Sequence, residues 1–271
     1  MIATTEKSGY APIHGLNMYY EFHGEGEPLI LLHGGLCSTA IFNHLLPLFA
    51  KTRQVIAVDL HAHGRTADID RPIRYEAMAD DMADLMKYLH IENADILGYS
   101  LGAGVALQTA ARHPEMVNKL VLISTAFKRE GWYPDIRTLM DLMGQATAEA
   151  MKPSPLYKTY AGVAPRPQDW VKLATKMADL LRLDYDWSKQ VAAIQSPTML
   201  VFGDADSMPP SHIAEFFGLL GGGLKDAGWD GSGISNARLA ILPGVTHYNI
   251  IESPLLPQVV APFLGIPGAT K

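Results

Sequence analysis

Continuous apolar runs of strand length alternate with helix-length amphipathic segments along most of this chain. Pro28-Leu29-Ile30-Leu31-Leu32 and Gln54-Val55-Ile56-Ala57-Val58 carry no polar alternation, the pattern of central strands buried on both faces. Between them, Ala40-Ile41-Phe42 and Leu45-Leu46-Pro47-Leu48-Phe49 form a helix-length segment. From Tyr75 to His90, Met78, Met82, Leu85, Met86 and Leu89 recur at three and four residues and predict an amphipathic helix. Further strands are expected at Ile96-Leu97, Leu120-Val121-Leu122-Ile123 and Thr198-Met199-Leu200-Val201-Phe202, and a last one from Arg238 to Leu242. Pro254 to Leu264 reads as a closing helix. Leu16 to His23 alternates weakly and ends at Gly24-Glu25-Gly26-Glu27-Pro28, which predicts a hairpin strand and its turn. Alternating strands and helices argue for an α/β fold, a mostly parallel sheet with helices on both faces.

Two intervals break this rhythm. Between Ser124 and Ser196 there is no strand run, Pro153, Pro155, Pro165 and Pro167 act as breakers, and Asp135 to Met151 and Gln168 to Leu183 look helical. In the second of these, Trp170, Ala174, Met177 and Leu181 share one face. Residues 125–196 are therefore expected to form a helical lid inserted over the strand ends, with 1–124 and 197–271 as the core. Between Gly218 and Ser235, the density of Gly favours a long mobile loop, with Trp229 anchoring it to the body rather than lining the site entrance.

Size and composition narrow the classes. The 271 residues fit one domain with an insertion, and 48% hydrophobic residues suffice for a buried core. A net charge of −6 without a basic cluster argues against a nucleic-acid or acidic-membrane partner. The longest apolar runs are of strand length, so no membrane span is expected. The N-terminal residues lack a signal pattern, which leads to the expectation of a cytoplasmic protein. Cys37 stands alone, excludes an intrachain disulfide, and reads as a buried small residue.

Chemistry concentrates at Gly98-Tyr99-Ser100-Leu101-Gly102, a Gly-x-Ser-x-Gly sequence between a strand and a helix. That context is required of a nucleophile elbow, a turn so sharp that Gly flanks the Ser at two residues on either side. A Ser hydroxyl needs a base to take its proton. Downstream of Ser100 the histidines are His113, His212 and His247. His113 ends the elbow helix, roughly 18 Å from the Ser at 1.5 Å per residue. His212 starts a helix after Pro209-Pro210, whereas His247 follows Leu242-Pro243-Gly244-Val245-Thr246 in a loop after a strand and is the favoured base. The acid belongs after Val201-Phe202-Gly203, where Asp206 is favoured and Asp204 reads as a turn former. Two N–H donors are needed for an oxyanion. Leu101 supplies one, and Gly35 in His33-Gly34-Gly35-Leu36 is preferred for the other, with Leu36 possible and His33 structural.

His33-Gly34-Gly35, Asp59-Leu60-His61-Ala62-His63-Gly64-Arg65, the Ser100 pentapeptide, Gly203-Asp204-Ala205-Asp206 and Pro243-Gly244-Val245-Thr246-His247 together resemble the α/β-hydrolase superfamily, in that family's order. The resemblance spans about Leu16 to Leu264. It implies an eight-stranded sheet with a helical cap, a Ser100–Asp206–His247 triad, and an oxyanion hole at Gly35 and Leu101. Two departures stand out. The acid-to-His interval is 41 residues, longer than in compact relatives, which the Gly-rich insertion explains. His61 also stands where many relatives carry Arg, a change in a structural turn.

His61 and His63 lack the further ligands of a dinuclear metal site, and no Gly-x-Gly-x-x-Gly or Walker pattern supports a nucleotide, so neither metal nor cofactor is expected. The reading is a cofactor-free serine esterase acting on a small-molecule carboxylic ester. Leu36, Trp132, Tyr133 and Trp187 are candidate substrate-binding residues, with Met143, Trp170 and Met177 also available to shape an apolar pocket. Lactone hydrolysis, C–C bond hydrolysis and perhydrolysis use the same triad. A slow-turnover receptor and a cofactor-free oxygenase are the readings from other classes. Ser at the elbow argues against dehalogenases and epoxide hydrolases, which resemble this fold but need Asp there.

Overall fold

A computed structural model describes residues 7–267 of the chain. Eight strands form one sheet in the order β1-β2-β4-β3-β5-β6-β7-β8. They are β1 (Lys7–Ile13), β2 (Leu16–His23), β3 (Glu27–Leu32), β4 (Arg53–Val58), β5 (Ala94–Tyr99), β6 (Val117–Ile123), β7 (Thr198–Ala205) and β8 (Ala237–Thr246). β2 runs antiparallel to both β1 and β4, and all later neighbours are parallel. The helices are α1 (Leu46–Phe49), α2 (Tyr75–Tyr88), α3 (Leu101–Arg112), α4 (Pro134–Leu142), α5 (Gln145–Ala150), α6 (Pro155–Val163), α7 (Trp170–Leu181), α8 (Ser188–Ala193), α9 (Pro210–Leu219) and α10 (Leu255–Leu264).

The apolar runs are buried on both faces as their pattern demands. Successive residues of β3 enter opposite cores: Ile30 and Leu32 pack with Met78 and Met82 of α2, while Leu29 and Leu31 pack with Phe49 of α1 and Val260 of α10. β4 and β6 alternate in the same way, Ile56 and Leu122 on one side, Val55 and Val121 on the other. Each fully buried side chain of this size contributes about 1.5–3 kcal/mol. The sheet is thus held by two apolar layers, and its strand ends are free for other work.

Topology decides which strand ends meet. β3 lies between β4 and β5, so the chain steps to one side after β3 and to the other after β4. Loops that leave adjacent strands in opposite directions open a crevice at their carboxyl ends. Here those loops are the ones following Leu32 and Tyr99.

Several local expectations are revised. The hairpin of Leu16–His23 closes through His14-Gly15 with β1, not through Gly24–Pro28, and its other neighbour is β4. The 40–49 segment divides into a 3₁₀ turn (Thr39–Phe42) and the one-turn α1. The 135–151 helix breaks into α4 and α5 at Met143-Gly144, where Gly is poor helix former. α6 and α8 lie in stretches whose Pro spacing and short length hid their period. α8 packs on α3 and α9, whereas α4, α5 and α6 pack on α7. β8 runs four residues past its expected end, to Thr246, following its pairing with β7. Trp229 neither anchors the Gly-rich segment nor lines an entrance: the residue is 110% exposed, so its apolar surface is left in water. Cys37 is half-buried rather than buried.

The inserted helices are tied to the core by charge. Asp68, in the loop between β4 and α2, is 1% exposed at its side chain and meets Lys176 at 2.7 Å and Lys172 at 2.6 Å, both from α7. His61 Nε2 approaches the same carboxylate at 3.0 Å. Lys176 Nζ also donates to the carbonyls of Ile69 and Arg71. Burial pushes the Asp68 carboxyl up, but the two lysines outweigh it and hold it below the usual carboxylate range. Removing one partner of a buried pair leaves the other uncompensated. Asp68→Asn is expected to lower unfolding free energy by about 2–4 kcal/mol in urea titrations; a change within experimental error would show that α7 does not depend on this contact.

Buried histidines make the fold acid-sensitive. Burial pushes His61 down to about 4, helped by Arg71, and pushes His63 to about 3 and His212 to about 4. The fold keeps them neutral, while the unfolded chain takes up protons below about pH 6.5. Stability is therefore full above that value and falls as pH drops toward the folded-state values. Burial lowers His33 in the same way, so His14, raised through its bond to Asp81, is one histidine against four. Urea unfolding measured from pH 7 to 4.5 should show a steady loss, shallower in His212→Leu; a flat profile in the wild type would contradict it.

Candidate active site

Ser100 occupies the turn between β5 and α3 with φ 51° and ψ −113°, a conformation that a side-chain-bearing residue adopts only under constraint. The constraint is close approach. A Cβ on Gly98 would lie 2.3 Å from the Gly102 oxygen, and one on Gly102 would lie 2.1 Å from the Leu32 oxygen. Neither position has room for a larger residue. Ser100 N–H donates to the Ile123 oxygen at 2.9 Å, tying the turn to the end of β6.

Three side chains from distant segments converge here. Ser100 Oγ lies 3.1 Å from His247 Nε2, and His247 Nδ1 lies 3.1 Å from Asp206 Oδ1. His247 follows β8, and Asp206 follows β7, which pairs with it. Asp206 Oδ2 accepts from Ser124 Oγ at 2.6 Å and from Gly203 N–H at 3.0 Å, and Oδ1 accepts from Ser207 N–H at 2.7 Å. Burial pushes this carboxyl up, yet the hydrogen bond and charge of His247, with the Ser124 and Gly203 bonds, leave it below its ordinary value. Tyr99 hydroxyl donates to the His247 carbonyl at 2.8 Å, and Trp132 stands edge-on to the imidazole at 5.5 Å. Asp204 lies apart: its Oδ1 accepts from the N–H groups of Gly244 and Val245, holding the backbone that leads to His247.

The loop after β3 closes the other side. His33 Nδ1 bonds the Gly34 carbonyl at 2.7 Å and Nε2 accepts from Leu60 N–H at 3.1 Å, so the ring shapes the loop and both nitrogens are occupied. Gly35 and Leu36 face the cavity that also holds Ser100 and Leu101. Leu101 is the first residue of α3, where the N–H has no intrahelical partner. Gly35 N–H likewise donates to no backbone group among the described residues. Both amides are free for an external acceptor.

That cavity is about 240 Å³ and mostly apolar. Met177 and Leu181 of α7 and Ile136, Leu139, Met140 and Met143 along α4 form its outer wall. Among the described residues, no Lys, Arg, Asp or Glu lines it. Of the residues expected to line a pocket, Leu36, Trp132, Met143 and Met177 do so. Tyr133 and Trp187 do not: Tyr133 is 37% exposed and Trp187 is buried against Tyr75 and Tyr185. Trp170 is buried among Tyr157, Tyr160 and the Ala148 carbonyl, away from the cavity. Tyr75, Ser207, Tyr248 and Ser124 escaped sequence reasoning, since each is a lone polar residue without a motif. The α4 residues carried a signal, spacing of three and four residues across 136–143.

The competing histidines lie elsewhere. His113 pairs with Asp80 at 2.8 Å, and His212 stacks on Phe127 at 4.4 Å with neither ring nitrogen bonded. His61 and His63 are engaged with Asp68 and the His61 carbonyl, and among the described residues no group of three or more metal-ligating side chains gathers. A larger hollow between Phe217, the Gly-rich segment and Ile241 of β8 holds none of these groups. Among the described residues no helix is long and apolar enough to cross a membrane.

Comparison with known proteins places the fold. A sequence profile of the alpha/beta hydrolase fold matches residues 27–184. The AB hydrolase superfamily protein YisY of Bacillus subtilis is 28% identical over 222 residues, 74% of this chain and 82% of its own length. The 2-hydroxymuconate semialdehyde hydrolase of Pseudomonas sp. is 29% identical over 260 residues, 84% of this chain and 83% of its own. In three dimensions, E-2-(acetamidomethylene)succinate hydrolase superposes with a TM-score of 0.74 at 20% identity, covering 96% of this chain and 99% of that one. With an eight-stranded, mostly parallel sheet and hydrolases among its relatives, the chain belongs to the α/β-hydrolase family and is a hydrolase.

Proposed function

We propose that the protein is a cofactor-free serine hydrolase that cleaves an uncharged carboxylic ester. The observation that carries this reading is the Ser100–His247–Asp206 chain, with links of 3.1 Å each, opening into a cavity that no Lys, Arg, Asp or Glu among the described residues lines. Ser100 Oγ attacks the ester carbonyl while His247 Nε2 takes its proton. Asp206 holds the imidazole by Nδ1 and stabilises it when charged. The carbonyl oxygen, now negative, accepts from the N–H groups of Gly35 and Leu101. His247 then gives its proton to the leaving alcohol, and the acyl group stays on Ser100. Water enters, His247 removes its proton, and the acid departs with Ser100 restored. Helices α4 and α7 act as a lid whose apolar side chains bind the acyl or alcohol part.

A second reading is C–C bond hydrolysis, favoured by the relative named as a 2-hydroxymuconate semialdehyde hydrolase. That compound carries a carboxylate, whereas no lysine or arginine among the described residues lines the cavity to meet one. Leaving such a charge unpaired in an apolar cavity is costly, so the neutral ester is preferred.

Steady-state hydrolysis of p-nitrophenyl esters from acetyl to dodecanoyl tests this reading. Turnover should fall by about 10⁴-fold or more in Ser100→Ala, which should also lose labelling by an alkyl phosphonate; labelling at another residue would refute Ser100 as the nucleophile. Asp206→Asn should lower kcat by about 10³–10⁴-fold, since the imidazole loses the partner of Nδ1. Asp204→Asn keeps an acceptor oxygen for Gly244 and Val245 and should cost less than about 10-fold. If Asp204→Asn were the more damaging, the assignment of the acid would be wrong.

A further inference from the structure

Tyr75 opens α2 and lies on the wall of the cavity that holds Ser100. Only 9% of the residue is exposed. Its ring is clamped: a Cβ on Gly104 would come within 2.4 Å of it, and Trp187 stands edge-on at 5.0 Å. Yet among the described residues no hydrogen bond acts on the Tyr75 hydroxyl, and that oxygen is not among the sealed polar atoms of the interior. The neighbouring phenol contrasts with it. Tyr185 hydroxyl accepts from Trp132 Nε1 at 3.2 Å and approaches the Ala126 carbonyl at 3.4 Å.

A rigid side chain that lines an apolar cavity and carries an unengaged hydroxyl is a preformed hydrogen-bonding point. Burial raises the phenol well above its ordinary value, so it stays neutral and can donate. A hydrocarbon placed against it strips the hydroxyl of water and returns no bond, a cost that a ligand oxygen removes. We propose that Tyr75 recognises one further oxygen, a keto or ether group, in the apolar part of an uncharged ester substrate. This inference rests on the ester reading of Ser100. It turns that reading from any ester of suitable size into an oxygen-bearing one.

Matched substrates test it. On the acyl side, p-nitrophenyl hexanoate is compared with its 4-oxo and 5-oxo analogues. On the alcohol side, butyl hexanoate is compared with 2-methoxyethyl hexanoate, in which one CH₂ becomes O. The wild type should favour at least one oxygen-bearing ester in kcat/KM, and Tyr75→Phe should reduce that preference by about 5–20-fold while leaving thermal unfolding unchanged. The side that responds locates the oxygen. Equal ratios in both proteins, with brisk turnover of the plain esters, would overturn the role of Tyr75 and leave the ester reading standing. A lowered midpoint of unfolding with uniform loss on all substrates would assign Tyr75 a structural role instead. If the wild type cleaves none of the esters although the phosphonate labels Ser100, the ester reading fails, and this proposal with it.

Discussion

The close approach of three backbone segments at Gly98, Gly102 and Leu32 is the constraint on which the candidate site depends. The end of β3 presses on the start of α3 so tightly that Gly102 has no space for a Cβ, and α3 in turn presses back on Gly98 of β5. Ser100 has to turn at positive φ to join strand and helix within that space. The same approach brings the Gly35 loop, which continues from β3, beside the first amide of α3. A hydroxyl and two free N–H groups therefore share one cavity because two neighbouring parallel strands end there and their loops leave in opposite directions.

Imidazole and carboxylate arrive by a different route. β7 and β8 are neighbours in the sheet, and the loops after both rise on the same edge, so 41 residues of sequence collapse to a 3.1 Å contact. The two acids at the end of β7, Asp204 within the strand and Asp206 just past it, divide the work. Asp206 turns inward to the imidazole and to Ser124, while Asp204 holds the backbone amides that aim the loop. The Gly-rich insertion lengthens the sequence between Asp206 and His247 without entering the site. Its apolar residues Leu224, Trp229 and Ile234 remain exposed.

Above this frame, the inserted helices supply shape more than chemistry. α4 has no fully buried residue, because its apolar side faces the cavity instead of a core. α7 divides its residues between the two tasks: Trp170, Leu173 and Ala174 are buried, Met177 reaches toward Gly35, and Lys172 and Lys176 hold Asp68. Charge fixes the helix from outside while the cavity itself stays uncharged.

Much of this was legible in the residues. Unbroken apolar runs at 29–32, 55–58 and 120–123 specify strands buried on both faces, because no other placement hides them from water. Gly spacing around Ser100 specifies the turn, since a side chain two residues away on either side would collide with backbone. Chain order favoured His247, while placement at the strand end fitted both Asp204 and Asp206; the fold sets His247 against Ser100 and Asp206 against His247. Other features were decided by tertiary contact alone. β2 chose β1 and β4 as partners through pairing that weak alternation did not encode. Trp187 and Tyr133 have the composition of pocket residues but not the position, because Trp187 packs under Tyr75 and Tyr133 faces solvent. Tyr75 and Ser124 join the site with no motif at all, carried there by the packing of α2 on α3 and the end of β6 on β7. Periodicity and glycine spacing report which face of an element is hidden and where backbone must approach. Which side chains from separate elements come to share one cavity depends on strand order and on the angle of the inserted helices, and those are set by contacts across the whole chain.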